Sequence, residues 1–404
     1  MVRYGIVGDI EKNPEGLVHA VNTLRDKYHV DVLIGNGDLC DVMEDERDTY
    51  NNGALIWTAF IQSGLESYVI PGNHDNFSGF GRLNKNFALH NAVRPTAFEY
   101  GVYKISKGNH DLVFIPGSDF VVPHGYVFGI ERESGIYLRK RDTFEPISQE
   151  DLEWLQKTWE HGGSSPQDFI FYTDLREISK VIDGKRPTIV FSHVPRKFEG
   201  LSDSVDSGHG IEVYRVNLGE KKHEDPELMK YFIEKVDYHI FDENLLRRLK
   251  LLGYLVMEDT GFVQSPEPNA SRIILPSQFR KEVPIIGQNE ASKTPFSSSE
   301  QGLQSIIDFA EYHSEGRNIV YVAVERKGGR GSEELKNEFE KAGVRIVVNG
   351  HFHHFCSHDE KGRSVMPGVV SDTLFINHGS FDDKSAVILE VHDDGEVSYE
   401  RPII

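Results

Sequence analysis

Five short segments, Gly8-Asp9-Ile10-Glu11, Gly37-Asp38, Gly72-Asn73-His74-Asp75, Ser192-His193 and Gly350-His351-Phe352-His353, each follow an apolar run that reads as a strand. This coupling of strand end to polar loop restricts the fold more than any other feature. The runs are Val2 to Val7, Val30 to Ile34, Tyr68 to Ile70, Pro187 to Phe191 and Val344 to Val348. Helical segments separate the first three. Asn13-Pro14 supplies an N-cap and a first-turn proline, and Leu17, Val18, Val21 and Leu24 mark one helical face. Alternating strands and helices define an α/β chain, whose loops at the carboxyl ends of the strands aim side chains into one crevice.

Beyond about residue 97 the pattern changes to paired strands, Tyr103 to Ser106 and Leu112 to Ile115. A second Gly-Asn-His-Asp, at Gly108 to Asp111, joins this pair and reads as a hairpin turn instead of a site. Ser148-Gln149-Glu150-Asp151 resembles a capping box ahead of a helix carrying Leu152, Leu155 and Trp159. Residues 200–316 are less regular, with charged helical pieces from 228 to 252 and a Pro- and Ser-rich stretch from 264 to 299. The expected organisation is a core of residues 1–199 and 317–404, with 200–316 inserted as a lid or small subdomain. Strand Ile319 to Val324, a helix over 332–341 and a final hairpin around Asp393-Asp394-Gly395 restore regular structure.

The 404 residues suffice for a large core, and no apolar run approaches the twenty or so residues of a membrane-spanning helix. Val2 to Val7 is too short for a secretory apolar region, which places the expected location in the cytoplasm. Only Cys40 and Cys356 are present, in keeping with a reducing compartment, and both read as small packing residues. A formal charge of −20 opposes extended contact with nucleic acid, whereas a small phosphorylated substrate is compatible with it because bound metals reverse the local field.

The residue types in the five segments are those that hold divalent metals. Two ions about 3.5–4 Å apart can share a carboxylate, grip phosphoryl oxygens and offset charge on a leaving oxygen. Asp38 is the natural shared carboxylate and Asp9 a terminal one; the imidazoles and the Asn73 amide complete shells suited to manganese, iron, zinc or cobalt.

Taken together, these segments resemble the calcineurin-like metallophosphoesterase family, whose pattern runs Asp-x-His, Gly-Asp, Gly-Asn-His-Asp or Glu, a lone His after a strand, and Gly-His-x-His. Asn377-His378-Gly379-Ser380 adds to the likeness, being similar to the Asn-Pro-Gly-Ser that often follows the last motif. The resemblance implies a four-layer α/β/β/α sandwich of two facing mixed sheets. It further implies a dinuclear hydrolase that cleaves a phosphodiester or phosphomonoester with a metal-bridging hydroxide. By position, Asp9 and His353 would bind the first ion, Asn73, His193 and His351 the second, and Asp38 both. His74 would protonate the leaving oxygen or steady the phosphoryl charge, with Asp75 orienting its ring. His378 stands in a loop that approaches the metals in relatives, and Arg196 and Lys197, just past His193, are placed to meet a substrate phosphate.

The departure from the pattern is Glu11, which stands where the second residue of Asp-x-His is a histidine. As a ligand it would bring a third carboxylate to the ions, raise the pKa of the bridging water and favour a harder ion such as manganese over zinc. A Glu11 that accepts a hydrogen bond behind the ligands, or that faces solvent, is the alternative. Gly37-Asp38-Leu39-Cys40-Asp41-Val42-Met43 lacks the phosphate-clamping arginine of the serine/threonine phosphatases, and the net charge opposes a DNA nuclease. The reading from a different class is a binding or scaffold protein that keeps the fold with a decayed site.

Overall fold

The computed structural model describes residues 1–10, 13–40, 46–90, 95–119, 124–140, 143–152, 169–198, 201, 204–217, 233–240, 249, 251, 254–257, 310, 312–313, 319–329, 331–381 and 384–404. Glu11, Leu155 and Trp159, which figure in the sequence reading, lie outside the described residues. The chain divides into two compact units, Met1–Phe198 with Gly331–Ile404, and Glu199–Arg330.

Two six-stranded sheets organise the first unit among the described residues. Sheet I runs in the order Val397–Glu400, Val387–Val391, Val2–Val7, Val32–Asn36, Glu66–Ile70, Thr96–Ala97. Its last four strands are parallel, and the two from the end of the chain are added antiparallel. Sheet II runs Phe355–His358, Leu374–His378, Ile346–Asn349, Thr188–Ser192, His110–Ile115, Tyr103–Lys107, with the central four parallel.

Period-two alternation explains how the layers stack. On sheet I, Tyr4, Ile6, Val32, Ile34, Tyr68 and Ile70 face inward. They join Leu112, Phe114, Ile189, Phe191, Ile346, Val348, Leu374 and Ile376 of sheet II in one buried cluster. The residues between them, Val7, Leu33 and Val69, face outward and pack with Leu17, Val21 and Leu24 of helix Pro14–Asp26 and Ile56, Trp57 and Phe60 of helix Glu46–Ser63. Behind sheet II, Val190, Val347 and Phe375 are buried, and helix Glu333–Ala342 buries Leu335 and Phe339. The result is a four-layer α/β/β/α sandwich. A four-stranded sheet of Tyr126–Gly129, Phe169–Asp174, Gly135–Lys140 and Thr143–Ile147 completes the unit.

Local signals in the sequence explain several boundaries. Asn13 accepts a hydrogen bond from Gly16 N (3.1 Å) and Pro14 opens the helix. Ser148 and Asp151 form the reciprocal box, Asp151 N donating to Ser148 Oγ and Ser148 N to Asp151 Oδ2, each at 3.1 Å. Lys107 pairs with His110 across the Gly108-Asn109 turn, so the second Gly-Asn-His-Asp is a hairpin. At the end of the sandwich where strand Val2–Val7 begins, Tyr4 of sheet I and His110 of sheet II meet across the core at 2.6 Å.

The second unit holds a sheet of Ile233–Ile240, Ser207–Asn217, Ile319–Gly329 and Leu255–Met257. The helical reading of residues 228–252 is therefore corrected over Ile233–Ile240. Val236, Tyr238 and Ile240 alternate with polar residues, a period of two that the high local charge masks, and the strand pairs antiparallel with Ser207–Asn217.

Candidate metal centre

The two sheets each supply half of the centre at their common carboxyl edge. Asp9 and Asp38 lie just beyond strands Val2–Val7 and Val32–Asn36, and Asn73, His74 and Asp75 beyond Glu66–Ile70. His193 follows Thr188–Ser192, and His351 and His353 follow Ile346–Asn349. Ligand atoms of Asp38, His193 and His351 lie within 4.8 Å of one another.

Asp38 Oδ2 is 2.9 Å from His193 Nε2, and its Oδ1 accepts from His74 N at 2.7 Å. Asn73 Oδ1 lies between two imidazoles, 2.9 Å from His193 Nε2 and 2.8 Å from His351 Nδ1. Asp9 is fully buried; its two carboxylate oxygens receive His351 N, each at 3.2 Å, and Oδ1 is 3.5 Å from His353 Nε2. His378 is buried beside them, its Nδ1 3.9 Å from Asp9 Oδ2.

The backbone is bent to allow this. Among the described residues, seven non-glycine residues have positive φ, and four of them are Asp9 (49°), Asp38 (47°), His351 (77°) and His353 (56°). Left-handed backbone at non-glycine residues is disfavoured and concentrates at functional sites. Two motif glycines are required by close approach. A Cβ on Gly37, itself at φ 84°, would overlap His193 Nδ1, and one on Gly72 would overlap Asp38 Oδ1.

The donor set fits divalent metals. Because Asn36 O accepts from His193 Nδ1 at 3.2 Å, the Nε2 lone pair of the neutral ring is turned toward Asp38 and Asn73. A lone pair facing two oxygen acceptors is stable only with a cation or proton among them. Without metal the proton takes that place: burial alone favours the neutral imidazole, but Asp38 and then Asp9 outweigh it and raise His193 to about 9. Burial likewise opposes ionisation of Asp38, yet His193 and His74 hold it well below the usual carboxylate range. Burial and the charge of His193 push His351 well below an ordinary histidine, leaving it neutral, the form that ligates.

Asp75 takes a different part from the one expected. Its carboxylate accepts from Cys40 N (2.8 Å), Gly72 N (2.8 Å) and Leu39 N (3.2 Å) instead of the His74 ring, so it ties the Asp38 loop to the Asn73 loop. Burial and the charge of Asp38 raise it to about 7 despite these donors. Arg196 and Lys197, the cations just past His193, have partners within the chain. The Arg196 guanidinium lies over the rings of Phe198 (4.3 Å) and Phe375 (5.0 Å), and Lys197 pairs with Glu333 at 3.1 Å.

Sequence reasoning gave no part to Asn36 and Asn349, which, like Asn377 of the last resembling segment, are fully buried at or near a strand end. Asn377 Nδ2 donates to Gly350 O at 2.7 Å, and its Oδ1 accepts from Gly379 N at 3.0 Å. The available signal was a polar residue closing an otherwise apolar strand immediately before a motif.

The sequence profile described as calcineurin-like phosphoesterase matches residues 2–241. Among solved structures, that of TT1561 of Thermus thermophilus is 9% identical, with a TM-score of 0.40, and the match covers 99% of this chain and 98% of that one. GAP50, the anchor in the inner membrane complex of Plasmodium, is 10% identical with a TM-score of 0.37, over 100% of this chain and 86% of that one. No curated protein matches the chain at a significant level. Among the described residues, no helix is long and apolar enough to cross a membrane.

Proposed function

Since this chain belongs to the calcineurin-like phosphoesterase family, we propose that it is a metal-dependent hydrolase of a phosphodiester or phosphomonoester of modest size, working at a dinuclear centre. The observation that carries this reading is the convergence of Asp38, His193 and His351 within 4.8 Å, with Asn73 Oδ1 between the two rings. Asp9 and His353, joined by Glu11, would hold one ion; Asn73, His193 and His351 would hold the other; Asp38 would serve both. When bound, such ions neutralise phosphoryl oxygens and make a coordinated water acidic enough to yield a nucleophile near neutral pH.

The remaining work falls to the chain itself. His74 is held by its own backbone, its N–H donating to Asp38 Oδ1, so its side chain leaves the centre from a fixed point. It would give a proton to the leaving oxygen. Asp75 keeps that loop closed on the Asp38 loop through its three backbone donors. The carboxylate-rich first position, with Glu11 in place of histidine, favours manganese.

The test is to reconstitute metal-free protein with manganese and assay p-nitrophenyl phosphate and bis-p-nitrophenyl phosphate while counting bound ions. Two ions per chain with turnover, both lost in Asp38→Asn, are expected. A wild-type chain that retains one ion or none and hydrolyses neither ester would refute the reading and favour a scaffold protein of this fold.

A further inference from the structure

The centre depends on His193, on one sheet, meeting Asp38, on the other, at 2.9 Å. Two buried amides govern that meeting. Asn36 continues the inward row of Val32 and Ile34, and its Nδ2 crosses to sheet II, donating to Val348 O at 3.2 Å and Ser192 O at 3.5 Å. Its own carbonyl receives His193 Nδ1 at 3.2 Å. From within sheet II, Asn349 Nδ2 donates to Ser192 Oγ (2.8 Å), Ser192 O (3.1 Å) and Val194 O (3.3 Å). Gly350 N then donates to the His193 carbonyl at 2.9 Å.

Both amides are fully buried, and among the described residues the Oδ1 atoms of Asn36 and Asn349 have no hydrogen-bond partner. A buried acceptor without a donor is destabilising, and an apolar residue of similar size would avoid that loss. Two such residues, one from each sheet, both donate to the backbone that flanks His193, which points to a role beyond stability.

We propose that Asn36 and Asn349 are positioning residues for His193. They clamp the Ser192-His193-Val194 backbone from opposite sheets and fix the imidazole with Nδ1–H on the Asn36 carbonyl, leaving Nε2 beside Asp38 and Asn73. The inference rests on the metal-dependent reading, because it takes His193 to be a ligand. A purely structural role, in which the amides only satisfy strand-end carbonyls, makes a different prediction: lost stability with unaltered metal binding.

The full chain and its variants Asn36→Leu, Asn36→Ser and Asn349→Ala are compared by melting temperature, Mn2+ titration, the visible spectrum of the Co2+-loaded protein, and kcat and KM on bis-p-nitrophenyl phosphate. Tyr4→Phe serves as control, since it removes a polar bridge between the same sheets at the other end of the sandwich. Asn36→Leu is expected to bind Mn2+ about 10–100-fold more weakly whatever its melting temperature, with a shifted Co2+ spectrum and a lower kcat at little-changed KM. Asn36→Ser, which keeps one donor, should fall between the two. Tyr4→Phe should melt lower with wild-type metal affinity and spectrum.

Wild-type Mn2+ affinity and Co2+ spectrum in Asn36→Leu and Asn349→Ala would overturn the proposal whatever their melting temperatures. Should the leucine variant not fold, Asn36→Ser and Asn349→Ala decide the matter by the same readings. A wild-type chain that binds no Mn2+ would instead remove the metal-dependent reading, and the clamp with it.

Discussion

His193 Nε2 and Asp38 Oδ2 stand 2.9 Å apart although they belong to opposite sheets and are separated by 155 residues of sequence. That contact joins the half of the centre carried by one sheet to the half carried by the other.

Glycine at 37 should be irreplaceable for steric reasons. Gly37→Ala incurs about 1 kcal/mol of left-handed strain and a further 1–3 kcal/mol, roughly, for displacing the His193 ring. It should lose metal binding as well. Gly64, at φ 69° with nothing within 4 Å of an added Cβ, isolates the strain. Gly64→Ala should lose about 1 kcal/mol and keep full metal affinity. Urea titration and Mn2+ binding measure both, and equal metal affinity in the two variants would contradict the steric account.

His74→Ala should lower kcat by about a hundred- to ten-thousand-fold on an alkyl phosphate ester, whose leaving oxygen needs a proton. On a p-nitrophenyl ester, whose leaving group departs as a stable anion, the loss should be much smaller. Steady-state kinetics on the two ester types decide it; equal losses would mean that His74 does not act as the acid.

Replacing Glu11 by histidine should move metal preference. Were Glu11 a ligand, the change would exchange a carboxylate for an imidazole and soften the first position, so Glu11→His should raise the ratio of zinc-supported to manganese-supported turnover. An unchanged ratio would indicate that Glu11 does not ligate.

Acid sensitivity should trace in part to the far end of the sandwich. Asn109 Nδ2 donates to His392 O and Asp393 O, leaving its Oδ1 to accept from His110 Nδ1, while Tyr4 OH donates to His110 Nε2. The neutral ring is thus satisfied at both nitrogens. Burial, then Arg186, pushes it down to about 4 against the opposing pull of Asp111. The folded value lies below the ordinary one, so the stabilisation is complete above about pH 6.5 and is lost as pH falls toward 4. Between these limits the wild type should lose about 2 kcal/mol more than His110→Gln. Urea midpoints across that range give the slopes, and parallel slopes would exclude His110 as the source.

The candidate ligands are legible in the sequence because each stands directly after a strand and has a side chain suited to metal binding. Asp9, Asp38, Asn73, His193, His351 and His353 can be picked out one at a time. What holds them together cannot. Asn36 reads as a polar residue before a glycine, and only the pairing of distant strands reveals that its amide reaches Val348 and Ser192. The motif pattern assigns Asp75 to the neighbouring ring, whereas its partners are backbone groups of Leu39, Cys40 and Gly72, which no side-chain motif encodes. Strand Ile233–Ile240 is hidden by its charge, since its partner Ser207–Asn217 is remote in sequence.

The division of the centre between two sheets also sets an order of events during synthesis. Asn73 and His351, which meet at 2.8 Å, are 278 residues apart, and strand Val387–Val391 closes beside strand Val2–Val7. A ribosome therefore delivers the early carboxylates long before the imidazoles that face them. The nascent chain passes most of its time on the ribosome unable to assemble both halves, so any ion held as proposed above would be captured late, with final closure of the sandwich.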